Sequence, residues 1–405
     1  MKIGIFTNNY LPNPYGVTGS IESFRKELEK IGHEVFIFAP RWKGYSDDNE
    51  RVFRYPALDI NIKFRFPLAI PYSWKINKII KNLDLDIIHS QHPNLLGTAA
   101  KKWARKKSAS RRIPLVFTWH TLYDQYTNFV PFLPKKWAAR WIIKKAVQYA
   151  NQCDQIIVPT ESVKKIIQNW GVVNKNIVAI PTGVEEEFYQ NSDRNLIRQK
   201  YGIKNDEILL LLVSRLTEEK NVEFLLDAVS GILKNDKVHP VKSPQNGVAS
   251  GEFNRVKFLV AGDGYLMPKL KKFCVYNNIA KKVIFAGAVD KKEIKNYYAA
   301  GDIFVYASKS ETQGMIISEA MYCGLPIVAV RATGIEDLVE NEKNGFLVAE
   351  NKEIFSDKVQ KIIANETLRR QFSEASKKIA REKYTSAVCG EKMLEIYNKL
   401  IIKNS

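Results

Sequence analysis

Short apolar runs alternate with amphipathic segments along the whole chain. In the first half, apolar runs predict β-strands near residues 2–6, 34–38, 87–90, 115–118 and 155–159. In the second half, they predict strands near residues 208–213, 257–261, 283–286, 303–306 and 327–330. Strands that alternate with helices are typical of parallel sheets covered by helices. We therefore expect an α/β protein in which each half forms one Rossmann-like unit.

The chain has 405 residues, more than a single hydrophobic core usually supports, so two domains are expected. A turn at residues 180–184 ends the first half, which predicts domains at 1–183 and 184–384. An amphipathic helix is predicted near residues 385–402. The polar segment 236–254 contains two prolines and two glycines, and we interpret it as an insertion that forms a surface loop.

The first residues suggest a strand and not a signal peptide, and no run reaches the roughly 20 apolar residues that span a bilayer. We therefore expect the protein on the cytoplasmic side of the membrane. The cysteines at 153, 274, 323 and 389 are widely separated, which indicates neither a disulfide framework nor a zinc site.

Positive charge is concentrated in the first half of the chain. The net charge is +19, and residues 1–183 hold 28 Lys and Arg residues against 13 Asp and Glu residues. On one predicted helix, basic and tryptophan side chains form adjoining stripes, at Lys136, Arg140 and Lys144 and at Trp137 and Trp141. Such a helix suits an anionic membrane, where each cation contributes about 1 kcal/mol. A solvated lysine-rich face is the alternative interpretation.

A basic nucleic-acid-binding protein is a second hypothesis, because a net charge of +19 also attracts phosphate backbones. No recognition motif for nucleic acid is present in the sequence. The basic residues also lie outside the segments that carry the candidate chemistry. We therefore expect no nucleic-acid partner.

Two glutamates, Glu311 and Glu319, follow the predicted strand at 303–306. Apolar periodicity predicts a helix that starts near Gly314, so the amides beside Gly314 and Met315 are expected to face an anion. Glu319 lies about a turn and a half into this helix and is expected to reach a second part of the same ligand. This arrangement is the layout of a nucleotide-sugar site, and a surface acid in a loop together with an ordinary helix glutamate is the alternative interpretation.

Two cations follow the strand at 208–213. Arg215 and Lys220 are placed at the carboxyl edge of the predicted sheet, where open α/β sheets bind ligands, and they suit the charge of a diphosphate leaving group. Strand 115–118 is likewise followed by His120. We expect this histidine at the ligand-binding edge of the first domain.

Two glycine pairs are expected to let the backbone approach a ligand closely. Gly16 and Gly19 lie in a predicted loop after the first strand, and Gly262 and Gly264 make a tight turn. Asp263 either caps that turn or contacts the nucleotide. Neither pair completes a G-x-G-x-x-G fingerprint with an acid about 20 residues later, which disfavours a nicotinamide dehydrogenase.

Taken in order, the segments at 16–19, 214–221, 261–264 and 311–319 resemble the retaining glycosyltransferases with the GT-B fold, of the glycosyltransferase family 4-like type. The segments at 20–28, 32–35 and 118–123 resemble the branch that contains the bacterial 1,2-diacylglycerol 3-glucosyltransferases. The resemblance covers essentially the whole chain.

This resemblance implies two Rossmann-like domains that face each other across a central cleft, the first for the acceptor and the second for the nucleotide sugar. The closing helix, about 385–405, is implied to pack back on the first domain. The implied activity is a retaining, metal-independent hexosyltransferase without a cofactor, peripheral to the inner face of the cell membrane. Glucose from UDP-glucose and diacylglycerol are the expected substrates. Phosphatidylinositol, a lipid-linked glycan and a soluble sugar are alternative acceptors.

The resemblance also implies roles for individual residues. His120 is implied to lie beside the transferred sugar, where it orients a hydroxyl or moves a proton, given a pKa near neutrality. Glu311 is implied to contact sugar hydroxyls or to stabilise the cationic transition state, and Glu319 to bind the ribose. Arg215 and Lys220 are implied to replace a divalent ion. Glu311 is not expected to act as a covalent nucleophile, because such enzymes react on one face of the sugar.

Overall fold

The computed structural model describes residues 1–13, 16–59, 67–105, 112–123, 135–234, 256–309 and 311–404. The predicted insertion at 236–254 lies outside these described residues. The chain divides into two compact units, of which unit 1 comprises residues 1–183 and 386–405, and unit 2 comprises residues 184–385.

Unit 1 contains a seven-stranded parallel sheet in the order β3-β2-β1-β6-β7-β8-β9 and a separate antiparallel hairpin, β4–β5. Its strands are β1 (Lys2–Phe6), β2 (Glu34–Pro40), β3 (Val52–Tyr55), β4 (Ala57–Asp59), β5 (Pro67–Ala69), β6 (Ile87–Ser90), β7 (Leu115–Thr118), β8 (Gln155–Val158) and β9 (Ile177–Ala179). Its first five helices are α1 (Gly16–Lys30), α2 (Trp74–Leu83), α3 (Leu96–Arg105), α4 (Lys135–Ala150) and α5 (Glu161–Asn169).

Unit 2 contains a six-stranded parallel sheet in the order β12-β11-β10-β13-β14-β15. Its strands are β10 (Ile208–Val213), β11 (Val256–Ala261), β12 (Val283–Gly287), β13 (Ile303–Tyr306), β14 (Ile327–Val330) and β15 (Gly345–Val348). Its helices are α6 (Glu186–Tyr189), α7 (Arg194–Lys200), α8 (Val222–Lys234), α9 (Met267–Tyr276), α10 (Ile294–Ala300), α11 (Met315–Tyr322), α12 (Lys352–Ala364) and α13 (Glu366–Lys383).

Each sheet changes direction of winding at one pair of neighbouring strands. In unit 1 the chain winds outward from β1 through β2 to β3 and then restarts at β6, on the other side of β1. In unit 2 it winds from β10 through β11 to β12 and restarts at β13. Open α/β sheets bind ligands outside the carboxyl ends of the strands at such a switch point. The loops after β1 and β6, and after β10 and β13, are therefore the places to look for a site.

The last helix, α14 (Ser386–Asn404), belongs to unit 1. Its buried residues Cys389, Met393 and Tyr397 pack with Ile3 and Leu28 in one hydrophobic cluster. Helix α14 is also tied to the sheet by hydrogen bonding, because the Tyr397 hydroxyl lies 2.7 Å from Nδ1 of buried His89. The chain therefore returns to its first unit after completing the second.

All ten predicted strands are present in the structure. Five further strands, β3, β4, β5, β9 and β15, were not predicted. They contain only three or four residues each, and β3, β9 and β15 form edges of their sheets. Short segments carry too few residues for a periodic pattern to stand out. The structural context, and not local sequence, decides that they pair.

Candidate active site

Lys220 and Glu311 form an ion pair at the switch point of unit 2. Lys220 ends a single 3₁₀ turn that follows β10, and Glu311 follows β13, the neighbouring strand. The Lys220 Nζ lies 2.9 Å from Glu311 Oε2, and the two side chains are only 13% and 18% exposed. Strands β10 and β13 thus bring together Lys220 and Glu311, which the sequence analysis predicts to bind the same ligand.

The buried side chain of Tyr306 completes this cluster. Its hydroxyl donates to Glu311 Oε2 at 2.5 Å and accepts from Lys220 Nζ at 3.2 Å. Lys220 also reaches Ser308 Oγ at 3.4 Å. Tyr306 is the last residue of β13, and its side chain is fully buried. Because two donors converge on one oxygen, the Glu311 carboxylate is held in a fixed orientation.

The Arg215 side chain is far more exposed than that of Lys220 and is less tightly held by its ion-pair partner. Its side chain is 67% exposed, and its contact with Glu219 Oε1 is long, at 3.4 Å. An exposed pair of this geometry adds little to stability. The Arg215 guanidinium is therefore able to turn toward an anion at low cost.

The glycines of the 262–264 turn allow close packing against the segment that carries Arg215. A Cβ atom at Gly262 would lie 1.8 Å from the Ser214 carbonyl oxygen, and one at Gly264 would lie 2.3 Å from the Leu216 carbonyl oxygen. The Asp263 carboxylate accepts a hydrogen bond from the Gly264 amide at 2.7 Å, as expected for a residue that caps the turn. These glycines position the loop that follows β10.

Helix α11 begins at Met315, as the apolar pattern predicts. Its N-cap is Gly314, which has a φ of +77° and no side chain to accept hydrogen bonds from the first turn. The Ile317 amide donates to the Gly314 carbonyl oxygen at 2.8 Å, whereas the amides of Met315 and Ile316 have no backbone partner among the described residues and remain available for an external anion. A Cβ atom at Gly314 would also lie 2.9 Å from Leu338 Cδ1, so packing as well as backbone conformation favours glycine here.

Glu319 lies in the middle of α11 in largely apolar surroundings. The buried Tyr298 of α10 donates its hydroxyl to Glu319 Oε2 at 2.7 Å. Burial raises the pKa of Glu319 above its usual value, while hydrogen bonds from Tyr298 and Tyr189 oppose that rise in pKa. The structure thus maintains a carboxylate where an apolar environment disfavours charge, which is common at binding sites.

His120 follows β7 in unit 1, as predicted, and its Nε2 lies 2.6 Å from Oε1 of Gln91. Burial lowers the pKa of His120 to about 3, assisted by the neighbouring His92 and His89. The expectation of a pKa near neutrality was therefore wrong. At physiological pH the imidazole is neutral, so it suits hydrogen bonding to a hydroxyl better than carrying a proton.

Gln91 was not among the residues that the sequence singled out. It follows β6, the strand beside β7, and is 5% exposed. The polar residues Gln91 and His92 directly after a buried strand are the signal that could have identified it.

The predicted loop at Gly16 and Gly19 is instead the start of helix α1. The prediction of a loop was wrong because two glycines and a threonine disfavour a helix by local propensity, whereas packing of Ile21, Phe24 and Leu28 stabilises it. A Cβ atom at either glycine would meet nothing within 4 Å. The absent side chains thus leave space at the first turn of α1.

The tryptophans of α4 are exposed to solvent. Trp137 is 69% and Trp141 is 56% exposed, and Arg140 and Lys144 are exposed as well, whereas Ala138 is fully buried. The side chain of Lys136 lies outside the described residues. A second group of exposed apolar residues was not predicted. It lies on the β4–β5 hairpin and the segment after it, at Leu58, Leu68, Ile70, Tyr72 and Trp74.

None of the described helices is long and apolar enough to cross a membrane. Within the same described ranges, no group of three or more His, Cys, Asp or Glu side chains is arranged to hold a metal ion.

Two domain families match the chain in succession. Residues 14–188 match Glycosyltransferase Family 4, and residues 193–379 match Glycosyl transferases group 1. The sequence is 30% identical to the alpha-monoglucosyldiacylglycerol synthase of Streptococcus pneumoniae, over 100% of this chain and 87% of that protein. It is also 30% identical to the enzyme of the same name from Acholeplasma laidlawii, over 100% of this chain and 98% of that protein.

Solved structures share the fold at lower sequence identity. Anabaena HepE, solved in complex with UDP and glucose, superimposes with a TM-score of 0.72 at 19% identity, covering 98% of this chain and 100% of that one. Sucrose-phosphate synthase from Thermosynechococcus elongatus superimposes with a TM-score of 0.74 at 16% identity, covering 99% of each chain.

The environment of Glu319 generates a prediction about stability. We expect Glu319→Gln to raise the free energy of unfolding at pH 7 by about 1–2 kcal/mol, because it removes a charge that burial disfavours. Since the folded-state pKa of Glu319 is raised, its ionisation costs stability as the pH rises. The advantage of the variant should therefore disappear below about pH 4.5, the usual pKa of this carboxyl.

Denaturant unfolding at several pH values measures this difference, with Glu382→Gln, at an exposed position of α13, as the matched control. A Glu319→Gln protein that is less stable than the wild type at pH 7 would contradict the argument.

Proposed function

The chain belongs to the GT-B glycosyltransferases that join a family 4 domain to a group 1 domain, and from this premise we propose that it transfers glucose from UDP-glucose to diacylglycerol, with retention of configuration. The observation that carries this proposal is the Lys220–Glu311–Tyr306 cluster at the switch point of unit 2. It presents a cation and an ordered carboxylate together, as a nucleotide sugar requires for its diphosphate and its sugar hydroxyls.

The donor diphosphate is proposed to bind at the carboxyl edge of the unit 2 sheet. Lys220, Arg215 and the first-turn amides of α11 supply positive charge to the leaving group as the glycosidic bond breaks. Lys220 is already oriented by Glu311, whereas Arg215 is free to close over the ligand. Glu319 accepts hydrogen bonds from the ribose. These contacts take the place of a divalent ion, so the proposal includes no metal and no cofactor.

Catalysis is proposed to involve Glu311 and His120. Glu311 stabilises positive charge on the sugar or binds its hydroxyls, and its contacts with Lys220 and Tyr306 reduce its nucleophilicity. The acceptor hydroxyl therefore attacks the face from which the phosphate departs, and the phosphate oxygen takes its proton. His120, neutral at physiological pH, orients a hydroxyl by hydrogen bonding.

A lipid acceptor is supported by the names of the two bacterial relatives and by the surface of unit 1. The exposed Trp137 and Trp141 adjoin the exposed Arg140 and Lys144 on α4. Cationic side chains attract an anionic membrane, and tryptophan rings insert at the headgroup level. The exposed Tyr72 and Trp74 add further amphipathic surface to the same unit. We propose peripheral association with the inner face of the cell membrane.

The alternatives make different predictions. Another acceptor, such as phosphatidylinositol, a lipid-linked glycan or a soluble sugar, would preserve the donor site and change only the product. Nucleic-acid binding would leave the Lys220–Glu311–Tyr306 cluster without a role, which disfavours it.

The direct test is incubation with a panel of nucleotide sugars and vesicles that contain diacylglycerol, followed by mass analysis of the lipids. We expect a monohexosyl product from UDP-glucose with an α-anomeric linkage, as the NMR coupling of the anomeric proton will show, and no effect of a chelator. If the enzyme transfers the sugar to a soluble sugar and to none of the lipids, the proposed lipid acceptor is contradicted and the proposed transferase activity stands. Loss of activity in chelator, restored by added metal, would contradict the metal-free donor site.

Donor binding should depend on Lys220 in particular. We expect Lys220→Ala to weaken UDP binding by about 10- to 150-fold, because a charge-assisted contact contributes about 1.5–3 kcal/mol. Calorimetry with UDP measures the effect. Lys343→Ala is the matched control. Lys343 is also ion-paired, but it precedes β15 and so lies at the amino ends of the strands, away from the candidate site. Unchanged affinity in Lys220→Ala and in Glu319→Ala would overturn the donor site.

Membrane binding should depend on the basic stripe of α4. Replacing Lys136, Arg140 and Lys144 by Glu should reduce binding to anionic vesicles by about 100-fold or more, since each cation contributes about 1 kcal/mol. UDP affinity should stay the same. Sedimentation with vesicles at low and high salt measures the effect. Charge reversal at Lys164, Lys165 and Lys175 is a control with the same change in net charge.

Replacing Trp137 and Trp141 by Ala should remove the part of vesicle binding that persists at high salt. If the α4 reversal and its control weaken vesicle binding equally, overall charge and not this helix determines binding.

A further inference from the structure

Three histidines lie near the carboxyl edge of the unit 1 sheet, and each has a hydrogen-bond partner that fixes its ring. His89 is held between Tyr397 and Thr118, at 2.7 Å from each. His92 accepts a hydrogen bond at Nδ1 from the backbone amide of Asn8, at 3.1 Å. A backbone amide can only donate, so His92 carries its proton on Nε2. His120 is the third, and its partner is a side chain.

The partner of His120 is Gln91, and the contact is well defined. Strands β6 and β7 pair with Ser90 beside Phe117, so Gln91 and His120 both lie just beyond the ends of adjacent strands. Gln91 is 5% exposed and directs its amide oxygen at His120 Nε2, at 2.6 Å. An amide oxygen can only accept, and a neutral imidazole has one donor nitrogen and one acceptor nitrogen. The contact therefore assigns the proton of His120 to Nε2.

We propose that Gln91 is a positioning residue that keeps His120 in its Nε2–H tautomer and so makes Nδ1 a hydrogen-bond acceptor. Among the described residues, His120 Nδ1 has no hydrogen-bond partner. An unprotonated Nδ1 is able to accept a hydrogen bond from a substrate hydroxyl group. The other tautomer would carry its proton on Nδ1, which could then only donate a hydrogen bond to an acceptor atom. This inference rests on the proposed function for its ligand, but the tautomer itself does not depend on that function.

The reason to fix the tautomer is energetic. In water the two neutral tautomers of imidazole are close in energy, so an unrestrained ring would spend part of its time with the wrong nitrogen protonated. With the Gln91 amide oxygen directed at Nε2, the wrong tautomer would place two acceptors face to face and is therefore disfavoured. Gln91 does so without a charge, which leaves the imidazole neutral. A carboxylate at this position would favour the imidazolium instead.

Histidine-selective ¹⁵N NMR tests the tautomer directly, since each chain has five histidines and His120→Gln assigns the signal of interest. In the wild type we expect the His120 signals of an Nε2–H tautomer. In Gln91→Leu we expect a mixture of tautomers, and in Gln91→Glu a retained Nε2–H with a raised pKa. His92 serves as an internal control, because its backbone partner is unchanged in every variant. An Nδ1–H signal for His120 in the wild type, or an unaltered tautomer in Gln91→Leu, would overturn the proposal.

Turnover gives the functional readout. Gln91→Leu should lower kcat by about 10- to 100-fold with unchanged affinity for UDP, as misplacement of a positioned group does. Gln91→Glu should recover most of that loss at high pH and lose activity as the pH falls, because its His120 becomes protonated. Equal activity of Gln91→Leu and the wild type would contradict the proposal. If no sugar is transferred by any variant while the NMR result holds, the proposed function fails and the role of Gln91 in setting the tautomer stands.

Discussion

Parallel pairing of β10 with β13 is the constraint on which the candidate site depends. The two strands are neighbours although β11 and β12 separate them in the chain, and their carboxyl ends open at the same edge of the sheet. Lys220 and Glu311 are 91 residues apart in sequence and 2.9 Å apart in space as a result. A sheet that wound in one direction only would separate these loops by two intervening strands, β11 and β12. The strand order at the switch point thus brings the two loops together regardless of the side chains that they carry.

Buried tyrosines hold both glutamates of unit 2. Tyr306 donates to Glu311 and Tyr298 donates to Glu319, one from a strand and the other from a helix. Each carboxylate would be costly to bury without a donor, and a tyrosine supplies one while filling an apolar space. The arrangement keeps two carboxyl groups at fixed positions in partly apolar surroundings. That organisation favours ligand binding and disfavours stability, as expected where a site is prepared before its ligand arrives.

In unit 1 the buried polar side chains near the carboxyl ends of the strands are neutral histidines. His89, His92 and His120 are all held by hydrogen bonds, and burial lowers the pKa of each, to about 3, 4 and 3 respectively. If one of these imidazoles were positively charged, the excess of Lys and Arg side chains in residues 1–183 would repel it. Neutral histidines avoid that cost and still provide hydrogen bonds. The positive charge of the unit instead lies on exposed side chains such as Arg140 and Lys144, where water or a membrane surface can compensate it.

The sequence by itself determined the α/β architecture, because long buried strands such as β10 consist almost entirely of leucine and isoleucine and cannot be mistaken for surface segments. It also singled out Lys220, Glu311 and His120, because each follows an apolar run, and Glu319, because it lies in the helix after Gly314. Only the tertiary structure decided which partners these residues have. Tyr306, Tyr298 and Gln91 are distant from the obvious motifs or hidden within strands, and a hydrogen bond between side chains leaves no periodic signal in a sequence. The pKa of His120 and the helical start of α1 were likewise decided by packing, because desolvation and apolar contacts with residues far along the chain outweigh local preferences.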